Sequence, residues 1–342
     1  MSDEEFHRIA TENFAARYDL VREFRFVQDR PERLADHSDE VDRRCRFCKR
    51  GRPEVSFKEV AHAAPEFLGN RAIVSMNECD GCNAFFGKEV DGKGGYEAHL
   101  ANWSLLARSL AGVPRKKSGR PTFKSADLRV GSNATGLQLN VPSPATGVEA
   151  LAAWQPGEWE LPGDTTSPPY IPIRAAKALV KVACSLCPTA LLPECAGAID
   201  WLMGRKTIRL APFPVLYAFT AGVIGDELNG VTLLRRKGEG HEPFLWCVVR
   251  FRNFQLQTFV PFCQSDGNWL KEDEPCALKL AYYPAPFGPE AGTQYGQGDW
   301  SGEVETTETV RVVIYRTELI GFTPPPAGGR PPLLTATPPP GA

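Results

Sequence analysis

An α+β fold is the class this sequence predicts. A small strand–loop–strand–helix module, framed by two cysteine pairs, precedes a domain of two helices and an antiparallel sheet. Three observations carry the prediction. Two C-x2-C pairs, Cys45/Cys48 and Cys79/Cys82, bracket a segment with short strand-like stretches. Residues 173–203 hold two helical stretches, the first strongly amphipathic. Apolar strand-like segments then recur between 207 and 317. With 342 residues, 42% of them hydrophobic and 23% charged, the chain has the length of two domains and a soluble, globular composition.

In chain order, residues 1–42 predict a helix and a connector. Phe6, Ile9, Ala10, Phe14, Tyr18, Val21, Phe24 and Phe26 recur near helical spacing over 4–28, and the polar stretch 29–42 follows. Residues 43–111 form the cysteine-framed module. Val55 to Ala61 alternates loosely, as a short strand ending at His62; Pro65, Gly69 and Asn70 mark a loop; Ile73–Met76 is the returning strand. A helix starts at Asn83 and is interrupted by Gly87, and a second covers 96–111. Residues 112–168 are a basic strap and linker with short strands. Residues 169–322 form the α+β domain, whose helices span 173–187 and 192–203, stopped by Pro188 and Gly204. Its strands are expected at 207–211, 214–220, 231–236, 244–251, 254–262, 276–283 and 309–317. The Pro- and Gly-rich stretch 323–342 predicts a disordered tail.

Composition excludes several classes. No apolar run approaches the ~20 residues of a membrane helix, so no membrane partner is expected. The acidic start, Met1 to Glu5, lacks the plan of a signal peptide, which predicts a cytoplasmic location. No phosphate-binding loop, dinucleotide fingerprint or Gly-x-Ser-x-Gly elbow occurs; Gly87-Lys-Glu-Val-Asp-Gly-Lys lacks the required order. The formal charge of −2 conceals an asymmetry. Residues 43–130 carry 17 Lys and Arg against 9 Asp and Glu, whereas residues 1–42 carry 6 against 12. A basic segment on a near-neutral chain suits an anionic partner such as nucleic acid; a solvated basic face is the other reading.

Ten cysteines in a reducing compartment point to metal more than to disulfides. The C-x2-C-x30-C-x2-C spacing lets Cys45, Cys48, Cys79 and Cys82 converge on one tetrahedral Zn2+, closed and structural. Cys184 and Cys187 repeat the spacing within an apolar helix face and read, like Cys195, Cys247, Cys263 and Cys276, as buried core. His62 lies between the two pairs and Asn83 directly follows the last cysteine.

The run Phe57-Lys-Glu-Val-Ala-His62-Ala-Ala-Pro-Glu-Phe-Leu-Gly-Asn70, with Asn77-Glu-Cys79-Asp-Gly-Cys82-Asn83-Ala-Phe-Phe-Gly87, resembles the HNH endonucleases that carry a four-cysteine zinc site. The resemblance covers roughly residues 43–100 and implies a zinc-braced ββα-metal module. It implies His62 as the general base that activates water for attack on phosphorus. Asn83 would be a ligand of the catalytic Mg2+ or Mn2+. Asn77, or as second choice Asn70, would orient the base through the loop backbone. Many members place Asp, Glu or His directly before the base; here that residue is Ala61, so Glu59, Glu66 or water would complete the ion's shell. DNA is the implied partner, with Arg43, Arg44, Arg46, Lys49, Arg50, Arg52, Lys116, Lys117 and Arg120 gripping phosphates. The resemblance is compatible with defence against foreign DNA, with the C-terminal domain selecting the target, sensing a signal or forming a homo-oligomer. The alternative is a non-catalytic zinc-stabilised module that binds nucleic acid or protein.

Overall fold

The structure is a computed structural model. It describes residues 3–26, 31–36, 42–90, 92–111, 122–124, 129–133, 136–140, 157–160, 165–207, 209–220, 225–269, 281–286, 293–310, 313–316 and 334–335. Helices and mostly antiparallel sheets are both present, as an α+β chain requires. The chain divides into two units, residues 1–101 with 170–305, and residues 102–169 with 306–342. Among the described residues no helix is long and apolar enough to cross a membrane.

The first unit is built on a six-stranded antiparallel sheet. Its order is Tyr18–Arg25, Gly230–Arg236, Leu245–Phe251, Phe254–Phe259, Pro214–Thr220, Thr293–Asp299. Helix α1 (Asp3–Arg17) leads into the first strand. Helices α2 (Asp80–Gly87) and α3 (Tyr96–Trp103) follow the cysteine-framed segment. Helix α5 (Pro172–Leu186) packs against strands 245–251 and 254–259. Pro172 opens it, where a missing N–H costs nothing, and Pro188 follows its C-cap Cys187. Every residue from Ala178 to Leu186 is buried, so this part of α5 is enclosed on all sides, while Ile173, Arg174 and Lys177 are half-buried. Its Leu179, Val182 and Leu186 meet a core that includes Trp246, Phe251 and Phe259. Each such side chain gains ~1.5–3 kcal/mol on leaving water. Helix α6 (Ala196–Leu202) packs on α5.

The structure corrects several expectations. The helix expected over 4–28 ends at Arg17, and Tyr18–Arg25 is a strand paired antiparallel to 230–236. Tyr18, Phe24 and Phe26 are all buried, and a register shift between Leu20 and Arg22 turns Tyr18 and Phe24 to opposite faces of the sheet. The connector contributes strand Glu32–Leu34, parallel to Ile73–Ser75, which in turn pairs antiparallel with Ala61–His62. The strand expected from Val55 is confined to Ala61–His62. Helix α2 begins at Asp80, three residues before Asn83, with Cys79 as its N-cap. The 96–111 helix breaks at Ser104 into α3 and α4 (Leu105–Ala111).

Further along, Thr207 and residues 209–211 form no strand. Residues 281–283 form none either. The Gln257 side chain bonds Ala281 O and Tyr283 N at 2.7 Å each, and Gln255 bonds Tyr283 O at 2.8 Å, so side-chain amides replace the ladder. The polar, glycine-containing edge strand Thr293–Asp299 was not anticipated. Its partner is strand 214–220.

The second unit holds α4, packed on strands Phe123–Lys124 and Arg129–Asn133. These strands belong to a four-stranded sheet with Gly136–Asn140 and Leu334–Thr335. The latter pairing places two residues of the expected disordered tail in a strand. Gly157–Glu160 pairs with Val313–Arg316, and Thr165–Thr166 with Thr309–Val310, so the strand expected over 309–317 is two short ones in this unit. The strap residues 112–121, with Lys116, Lys117 and Arg120, lie outside the described residues, as does Cys276.

Candidate metal centre and the His62 loop

The first cysteine pair sits on a knuckle. Cys45 N bonds Arg50 O and Lys49 N bonds Cys45 O, both at 2.9 Å, with Lys49 in the left-handed region at φ 65. The second pair occupies the start of α2, Cys79 as N-cap and Cys82 in the first turn. A helix N-terminus favours negative charge, so thiolates are stabilised there. Cross-links join the two halves. Arg46 N bonds Asn77 O at 2.8 Å, Asn77 Nδ2 bonds Arg44 O at 3.0 Å, and Cys79 N points at Cys45 Sγ at 3.5 Å.

The four sulfurs lie within 4.8 Å of one another. Cys48 Sγ and Cys79 Sγ are 3.7 Å apart. A tetrahedral zinc with Zn–S bonds of ~2.3 Å requires sulfur separations of ~3.8 Å. Hydrogen bonds from Cys45 and Cys82 push the Cys79 thiol down to about 4, and the same sharing of protons pushes Cys82 up. Four soft donors converging at this spacing fit a structural metal such as zinc. The exposed Arg50 is hydrogen-bonded to Cys48, which raises the guanidinium's pKa.

His62 ends the strand Ala61–His62, opposite Val74. The loop that follows contains a 3-10 turn, Glu66–Leu68, and Gly69 at φ 97. That turn brings Glu66 Oε1 to 2.7 Å from His62 Nε2, with the imidazole 16% exposed and the carboxylate 34%. Asn70 closes the loop. Its amide donates to Ala64 O at 2.7 Å and Ile73 O at 3.0 Å, and accepts from Ala72 N at 3.2 Å and Ile73 N at 2.9 Å. Asp80, at the start of α2, accepts from Ser56 Oγ at 2.5 Å and from the Lys58 and Glu59 amides at 2.9 Å. Burial works against the Asp80 carboxylate, but these hydrogen bonds outweigh it and hold its pKa below the usual range. Asp80 thereby ties the approach to His62 to the helix that bears Cys82 and is capped by Cys79.

Asn83 is half-buried and three residues beyond Asp80, on the same stripe of α2. Asn77 is buried beneath the knuckle: besides its bond to Arg44 O it accepts from Asp36 N at 2.8 Å. Its amide therefore braces the cysteine cluster, whereas the amide that spans the His62 loop is that of Asn70. Glu59 is exposed, and Glu66 is the alternative ligand that reaches His62. Ala61 is buried.

Two of the basic residues expected on the surface are not there. Arg43 is buried, donates through Nε to Met76 O and lies 4.4 Å from the Phe57 ring. Arg46 is buried, ion-paired with Asp36, and its Nη1 donates to the carbonyls of Cys184, Ser185 and Cys187 at 3.0, 2.8 and 2.8 Å. Guanidiniums committed to internal carbonyls present no charge to a phosphate. Arg44, Lys49, Arg50 and Arg52 remain exposed. Cys184, Cys187, Cys195, Cys247 and Cys263 are buried, with Cys187 and Cys195 sulfurs 3.5 Å apart.

A buried ion cluster next to the loop had no place in the sequence reading. Lys181 of α5 is 1% exposed and its Nζ lies 3.2 Å from Glu78 Oε2, 3.2 Å from Glu97 Oε1 and 3.0 Å from His62 O. Burial would lower the Lys181 pKa, but the two carboxylates outweigh it and raise it. Burial pushes Glu78 up to about 7, with Lys181 opposing. A signal existed: Lys181 stands in Leu179-Val-Lys-Val-Ala183, where apolar neighbours on both sides leave a helix no solvent face.

Comparison with protein-family models, with curated proteins and with solved structures yields no match.

Proposed function

We propose that the cysteine-framed module is a metal-dependent phosphodiesterase of the HNH kind, acting on DNA, with His62 as general base. The observation that carries the reading is the His62–Glu66 contact at 2.7 Å, with the chain leading into His62 fastened through Asp80 to the helix that bears Cys82 and Asn83 and is capped by Cys79. Glu66 holds the ring through Nε2 while Nδ1 is buried, so His62 accepts a proton from water at Nε2 once the Glu66 carboxylate turns to the divalent ion. The hard oxygen donors suited to Mg2+ or Mn2+ are the Asn83 amide and the Glu66 carboxylate; such an ion, when bound, stabilises charge on the phosphate and the leaving oxygen. The middle-asparagine role falls to Asn70, since its side chain alone of the two spans the loop behind His62. Arg44, Lys49, Arg50 and Arg52 would follow the DNA backbone without reading bases.

Plasmid nicking with Mg2+ or Mn2+ tests this. Wild type is expected to cut and His62→Ala to lose at least ~100-fold in rate, the usual scale of a general base. Zinc content and DNA binding should be retained by the variant. One observation favours the second reading, a zinc-stabilised binding module without catalysis. Ala61, at the position that carries an ion ligand in many HNH proteins, is 1% exposed and offers only a methyl group. Retained DNA binding with no cutting under either ion would select that reading.

A further inference from the structure

Helix α5 lies more than a hundred residues beyond His62 in the chain, yet it touches the same loop. The Lys181 ammonium donates to His62 O and Glu97 Oε1, and Glu78 Oε2 lies 3.2 Å away as an ion-pair contact without hydrogen-bond geometry. The Phe86 ring of α2 closes the remaining side at 5.6 Å. Lys181 and Glu78 are essentially without solvent contact, at 1% and 0% of their side-chain surface, and Glu97 keeps 23%. Burying an ion pair so completely is a poor route to stability, because desolvation offsets most of the attraction and an apolar replacement of the same volume is often as stable. The arrangement calls for another reason, and the His62 carbonyl supplies it.

From its geometry we infer that Lys181 is a positioning residue for His62: the ammonium holds the His62 carbonyl against the carboxylate preceding Cys79, and so sets the backbone from which the imidazole meets Glu66. The inference rests on the nuclease reading only for the consequence in activity. The strand that carries His62 is two residues long, too short to fix its own end. Asn70 secures the far side of the loop and Asp80 the approach, while the carbonyl of His62 itself is taken by α5. Arg46 binds the same helix from the metal side by capping its last carbonyls. Helix α5 is thus a wall of the candidate site, and residues 43–111 alone would lack it.

The test uses the full chain and two variants. Lys181→Met alone strands the buried Glu78 carboxylate, so Lys181→Met/Glu78→Gln is the decisive variant: it removes both buried charges and keeps the volumes. The expected result is a folded double variant with wild-type zinc content and a plasmid KM within about twofold of wild type. Its kcat for nicking should fall at least tenfold. In parallel, histidine-selective NMR should show the His62 signals shifted or broadened, while those of the exposed His241 stay in place. Wild-type kcat together with unshifted His62 signals in the double variant would overturn the inference, since Lys181 would then only balance charge. If the wild-type chain does not cut DNA, the nuclease reading fails by itself. The NMR comparison then decides alone: perturbed His62 signals uphold the positioning role and unchanged ones refute it.

Discussion

Replacing Asn70 with alanine is expected to unlatch the His62 loop while leaving the four-cysteine cluster intact. The Asn70 side chain is 0% exposed and makes four hydrogen bonds of 2.7 to 3.2 Å, two as donor and two as acceptor. Alanine would orphan the Ala72 and Ile73 amides and remove a donor from the Ala64 and Ile73 carbonyls. A buried group left without its partner costs ~1–3 kcal/mol, and carbonyls tolerate the loss better than amides, so the loop should lose ~3–5 kcal/mol. At 1.4 kcal/mol per tenfold, amide-exchange protection across 63–75 should fall by a hundredfold to a few thousandfold. The assay is hydrogen exchange of that segment, with zinc content measured on the same samples. Asn70→Asp should be at least as damaging, because a carboxylate oxygen would then face the Ala64 and Ile73 carbonyls. Protection within threefold of wild type in Asn70→Ala, or a tolerated Asn70→Asp, would refute the hydrogen-bond assignment and with it the loop-bracing role.

Three further outcomes are expected. Cys79→Ser, or a strong chelator, should release the metal and raise exchange in 43–50 and 79–87, since structural zinc sites contribute ~10–16 kcal/mol in small domains; stoichiometric zinc retained by Cys79→Ser, read by elemental analysis, would exclude the tetrathiolate site. Arg46→Ala should destabilise the first unit by ~3–5 kcal/mol through the loss of a buried, paired charge, and Arg46→Lys should recover little because an ammonium cannot span Asp36 and three carbonyls; a shift in urea unfolding below ~1 kcal/mol argues against it. Burial, opposed by the Phe244 amide and Arg236, pushes Asp266 up to about 7 from 3.8. The folded state therefore holds a proton that the unfolded chain releases between those values, so stability should fall by ~4 kcal/mol as pH rises from ~4 to ~7 and level off above. Asp266→Asn should flatten that part of the curve, and an unchanged pH profile would contradict the assignment.

Local signals were enough where the chemistry is local. Two cysteines separated by two residues can offer two ligands from one turn, and a second pair at a matching distance, which Cys184/Cys187 lacks, makes convergence on a metal legible. Helix α5 could be read because its apolar pattern is long and both ends carry proline, strands 214–220, 230–236 and 245–251 because they are largely apolar, and 254–259 because apolar residues alternate with glutamine at its start. Tyr18–Arg25 could not, since a bulge between Leu20 and Arg22 breaks the two-residue alternation and strand 230–236, which selects the extended form, lies far along the chain. Nor could the roles of Asn70 and Asn77 be told apart. Both are turn residues by type, and only the fold decides that one amide meets the His62 loop and the other the knuckle. The same holds for Arg43, Arg46 and Lys181. A charge in a sequence reads as solvent-facing until the carbonyls and carboxylates that surround it, drawn from distant segments, are brought together by folding.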